Sequence, residues 1–79
     1  MNNLKDLIYT KVMNANDQEK LCKNGYVILR RMDTPLPHIK YKSKSNPRSW
    51  KKYDGNYQTK DYRDRMMTEL LKNENYIED

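Results

Sequence analysis

Phenylalanine is absent from these 79 residues, and histidine and cysteine occur once each, glycine twice and proline three times. The lone Cys22 cannot close a disulfide within the chain, and with only His38 beside it no metal-binding Cys/His spacing exists. That usage fits a reducing compartment, so the expected location is the cytoplasm. No apolar run approaches the roughly 20 residues of a membrane helix. The opening MNNLKDLIYTKVMNAND lacks the apolar centre of a signal peptide. Gly25 and Gly55 stand isolated, which excludes a glycine-rich phosphate loop.

Catalytic groupings are equally scarce. His38 has no serine, cysteine or carboxylate beside it, and an enzyme would need a cleft gathering it with acids from the C-terminal helix. Asp61 and Asp64 read as first-turn acids favoured by the helix dipole, not as a metal pair. Cys22 reads as a small packing residue. The expectation is a protein that is not an enzyme and needs no cofactor.

What is present is charge. Lys and Arg number 16 against 11 Asp and Glu, a net +5. Residues 1–29 hold four Lys and three acids, net +1; residues 30–53 hold eight basic residues against Asp33, net +7; residues 54–79 hold four basic and seven acidic residues, net −3. Positions 34–53 contain six basic residues and no acid. Such asymmetry favours an anionic partner. The Lys, Asn and Tyr content fits an AT-rich genome of phage or mobile-element type.

Apolar spacing at Leu4, Leu7, Ile8 and Val12 predicts a helix capped by Asn3 with Asp6, and Asn16 with Glu19 a second helical stretch through Lys23. Asn24-Gly25 supplies the left-handed residue that ends it. YVILRRM (26–32) reads as a strand covered on at least one face, and DTPLP breaks it. HIKYKSK alternates, with Ile39, Tyr41 and Ser43 on one side and His38, Lys40, Lys42 and Lys44 on a lysine-lined outer side. WKKY is a short strand, and Asp54-Gly55 suits a tight hairpin turn. Thr59 caps a helix from Lys60 to about Asn73 whose apolar stripe is Tyr62, Met66, Met67, Leu70 and Leu71, with Asp61, Arg65 and Glu69 pairing along another face. The Met stripe reads as buried under the sheet.

These elements make one small α+β domain: helical segment 1–24, basic antiparallel strands 26–58, C-terminal helix 59–73 and acidic tail 74–79, which carries no structure signal, although Tyr76 and Ile77 could dock on the core. The expected fold is an antiparallel sheet of three to four strands with the helices packed on one face. From Tyr26 to Lys72 the order of three strands and a helix, with NYQTK before the helix, resembles the small three-stranded DNA-binding domains of the integrase arm-binding type. DTPLP, the Asp-Gly turn and the helical N-terminus depart from that pattern, and the likeness is one of architecture.

Alternate lysines on a strand stand roughly 6.6 Å apart, close to the phosphate repeat of a nucleic-acid strand. The expected function is nucleic-acid binding, DNA before RNA, by a strand and loop face. Lys40, Lys42, Lys44, Lys51 and Lys52 would contact phosphate, and Arg31 and Arg48 would supply bidentate contacts. Trp50 divides between packing and base stacking; Tyr41 belongs to the core. Two other classes fit the composition: a phage-type inhibitor or adaptor docking on a host protein, and a small structural component. No membrane partner is expected.

Overall fold

The computed structural model describes residues 13–79. The chain runs α1 (Ala15–Lys23), β1 (Val27–Met32), β2 (His38–Lys42), β3 (Lys51–Asn56), α2 (Lys60–Leu70) and β4 (Tyr76–Glu78). The helix expected from Asn3 to Val12 lies outside the described residues.

Helix α1 starts two residues earlier than Asn16 implied. Asn14 is the cap: its side chain accepts from the Asp17 N–H at 2.9 Å, and the Asp17 carboxylate accepts from the Asn14 N–H at 3.2 Å. Both asparagines have a carboxylate three residues on, but the earlier start adds the turn that a short helix needs to offset nucleation. It ends as expected. Gly25 adopts φ +95°, and the N–H groups of Gly25 and Tyr26 bond the carbonyls of Cys22 and Leu21.

The sheet order is β3-β2-β1-β4. Strands β1, β2 and β3 pair antiparallel, but β4 lies parallel to β1, so the sheet is mixed and the acidic tail is its fourth strand. The chain reverses after α2, and Val27 N–H bonds Asn75 O at 2.9 Å while Asp79 N–H bonds Leu29 O at 2.7 Å. Burial of Ile77 drives this closure, the gain available to any apolar side chain that finds a partner face.

The helices cover opposite faces of the sheet, not one. Neighbouring residues of a strand point to opposite sides. Ile28 packs with Leu21, Cys22 and Ile77 on the α1 side, whereas Leu29 packs with Ile39, Tyr57 and Met67 on the α2 side. Both Ile28 and Leu29 are fully buried, which explains the unbroken apolar centre of β1.

The Asp54-Gly55 hairpin does not form. Asp54 (φ +59°) and Gly55 (φ +84°) have the left-handed backbone such a turn needs, but they lie inside β3 as a bulge. The register steps from Ile39 opposite Tyr53 to His38 opposite Asn56. The chain then continues along β2, with Tyr57 N–H bonded to Pro37 O at 2.8 Å.

Strand β2 stops at Lys42, where the Asn46 side chain organises the turn by donating to Tyr41 O and Ser49 O. Helix α2 begins at its Thr59 cap and stops at Leu70, short of Asn73. Its buried residues are Met67 and Arg63, and Tyr62 is 48% exposed, so the expected stripe is rotated. Arg63 is drawn inward by the Met32 carbonyl and the carboxylates of Asp33 and Asp64. Arg65 lies near the Tyr62 ring and does not pair with Asp61 or Glu69.

Candidate nucleic-acid interface

Directly opposed residues of antiparallel strands share a face. Arg30 on β1 pairs with Lys40 on β2, and Lys40 pairs with Lys52 on β3. Three cations thus form a row across three strands, each step about 4.8 Å, on the face that carries α1. Arg30 is compensated, because its Nε donates to Asp79 Oδ2 at 2.6 Å. Lys52 Nζ bonds the neutral Asn56 Oδ1 at 2.9 Å, and Lys40 has no hydrogen-bond or ionic partner among the described residues. Like charges directly opposite each other destabilise a sheet, so the Lys40–Lys52 pair is a local cost that a bound anion would relieve.

The other expected contacts are dispersed. Lys42 shares the side of Lys40 but is only 4% exposed, so the lysine-lined outer face does not extend to it. Helix α1 covers it there: Lys42 Nζ donates to Gln18 Oε1 at 2.7 Å, and Gln18 Nε2 donates to Asp79 Oδ1 at 2.7 Å. Trp50 belongs to this cluster. It packs on the Leu21–Ile28 core, with Arg30 4.4 Å and Lys42 4.7 Å from its ring, and reads as a packing residue.

Arg31 projects to the α2 side and pairs with Asp64 at 3.2 Å and Glu78 at 2.7 Å. Lys51, opposite Tyr41, belongs to that side too. Lys44 and Arg48 sit in the exposed turn between β2 and β3. Arg48 pairs with Glu19, and its hydrogen bond, more than that of Lys23, holds the Glu19 carboxyl below the usual range. This pair is solvent-exposed on the Arg48 side, so exchanging Glu19 for a phosphate costs little. The idea of one cationic surface from 31 to 52 is therefore corrected: Lys40 and Lys52 share a face, with Lys44 and Arg48 in the adjoining turn.

Sequence reading missed Arg30, Gln18 and Asp79. Strand parity separates Arg30 from Arg31, but only the register with β2 shows which of the two aligns with Lys40. The pairing of Asp79 spans 49 and 61 positions, to Arg30 and Gln18, and no local signal announces it.

His38 is buried on the α1 side, and its Nδ1–H donates to Leu36 O at 2.7 Å. The acids of α2 lie across the sheet from it. Cys22 is fully buried, and desolvation pushes its thiol pKa up. Among the described residues, no group of three His, Cys, Asp or Glu side chains could hold a metal ion, and no helix is long and apolar enough to cross a membrane. Comparison of the chain with protein-family models, curated proteins and solved structures finds no match.

Proposed function

We propose that this protein binds nucleic acid, DNA before RNA, by gripping phosphates with Lys40 and Lys52, aided by Lys44 and Arg48 from the adjoining turn. The observation that carries the reading is the opposed Lys40–Lys52 pair, which has no neutralising acid among the described residues. A sheet that places two ammonium groups together without a carboxylate is less stable than one with a mixed pair, and an anionic ligand offsets that cost. Arg30 extends the row but is held by Asp79, and it serves as the row's fixed end.

Arg31 and Lys42 have no part in this reading, since one is saturated by carboxylates and the other is buried. The contacts are to backbone phosphate, so they give affinity and salt dependence with little base preference. The unpaired, buried Cys22 supports a reducing, cytoplasmic setting. The test is binding of labelled DNA across a salt series, by wild type and by Lys40→Ala/Lys52→Ala. Steep salt dependence that the double variant shallows supports the reading. Binding unaffected by that variant rejects it.

A further inference from the structure

We infer that the groove at the open edge of β3 receives one nucleobase, so that the ligand is single-stranded at that point; this rests on the phosphate-binding reading above. Among the described residues strand β3 is an edge of the sheet. Where it bulges and passes into α2 there is a groove of about 600 Å³, lined by Asn56, Gln58, Tyr62 and Arg65 among others. That volume is within the range of small-ligand sites.

The chemistry of the groove is that of a base, not of a phosphate. Tyr62 exposes about half its surface, is backed by Tyr57 with ring centroids 5.6 Å apart, and has the Arg65 guanidinium 5.7 Å from its own centroid. An exposed aromatic ring flanked by a guanidinium is a stacking platform for any of the bases. The amides of Asn56 and Gln58 each carry donors and an acceptor, as base edges do. Tyr57, also in the groove wall, has a buried hydroxyl with no hydrogen-bond partner among the described residues. The Asp54 carboxylate on the rim disfavours a phosphate there.

Position links the groove to the cationic row. Lys52 Nζ donates to Asn56 Oδ1, so the end of the row touches the groove wall. A phosphate held at Lys52 leaves its attached base at the groove mouth. Bases inside a duplex are stacked and paired, and only an unstacked base can enter.

The experiment compares a labelled single-stranded oligodeoxynucleotide with an abasic strand of equal length and phosphate count, by fluorescence anisotropy. Wild type is expected to bind the base-bearing strand roughly 5- to 150-fold more tightly, the range for one stacked base. Tyr62→Leu is expected to erase that difference and leave abasic affinity unchanged. A preference that survives Tyr62→Leu overturns the inference. Equal, salt-sensitive binding of both strands by wild type overturns it too but leaves the phosphate reading standing, whereas binding of neither strand removes both. If Tyr62→Leu does not melt cooperatively, Gln58→Ala replaces it: a narrowed preference supports the base site and an unchanged one refutes it.

Discussion

Replacing Arg63 by methionine keeps most of the side-chain volume and removes every donor of a guanidinium whose side chain is 5% exposed. Three acceptors lose a guanidinium donor: the Met32 carbonyl, Asp33 Oδ1 at 2.9 Å and Asp64 Oδ1 at 2.9 Å, although Asp64 keeps Arg31 at 3.2 Å and Asp33 keeps Lys60 at 3.7 Å. The two carboxylates are about half exposed and regain water, so the penalty of a stranded buried charge does not apply to them. What remains is the net worth of the hydrogen bonds made by the buried Arg63 guanidinium, about 2 kcal/mol. In a domain of this size each kcal/mol shifts the midpoint by about 4–8 °C, so the expected fall in Tm is about 8–16 °C. Circular-dichroism melts measure it. A fall of less than about 2 °C would refute the reasoning, because Arg63 would then not tie the β1–β2 loop to α2. A pH series adds a second check. The hydrogen bond from Arg63 holds the Asp33 carboxyl below its usual value, so its stabilising contribution is full above the unfolded value of about 3.9 and is lost as pH falls through the lower folded value. The gap between wild type and Arg63→Met should therefore narrow below about pH 4.

Arg48→Ala should lower Tm only slightly, since an ion pair with a solvent-exposed partner contributes little, yet weaken DNA binding by the loss of one phosphate contact; a large fall in Tm with unchanged binding contradicts its placement. Gly55→Ala should cost about 1–2 kcal/mol because the bulge needs φ +84°, although among the described residues no heavy atom beyond the adjoining residues lies within 4 Å of the added methyl; a urea midpoint equal to wild type would show that the bulge relaxes freely. Cys22 should react with a thiol reagent only as fast as the chain opens, being fully buried with its thiol pKa raised by desolvation; reaction at the rate of a free thiol in native buffer would contradict its burial.

The features legible in the sequence are those fixed by a few neighbouring residues. Thr59 caps α2, Gly25 closes α1, and the apolar centre of β1 marks a strand. Asp54-Gly55 was legible as a pair of left-handed residues but not as a bulge, because hairpin and bulge share that local backbone and differ only in where the next residues pair. The same limit governs the site. Lys42 alternates with Lys40 as cleanly as any exposed residue, and only the arrival of Gln18 from α1 shows that it is buried. Arg30 and Arg31 both look available until the C-terminal residues bring Asp79 and Glu78 beside them. Six basic residues in a row of twenty announced positive charge correctly; which charges remain uncompensated depended on acids 29 to 49 positions away.

The most direct measurement is the slope of log binding constant against log salt for wild type and for Lys40→Ala/Lys52→Ala, with thermal melts of both. Four phosphate contacts give a wild-type slope of about −3 to −4, and losing two should shallow it by about 1.5–2. The melting temperature should hold or rise slightly, because removing opposed like charges relieves repulsion. An unchanged slope, or a shallower one accompanied by a lowered Tm, would contradict the claim that this lysine pair is kept for an anionic ligand.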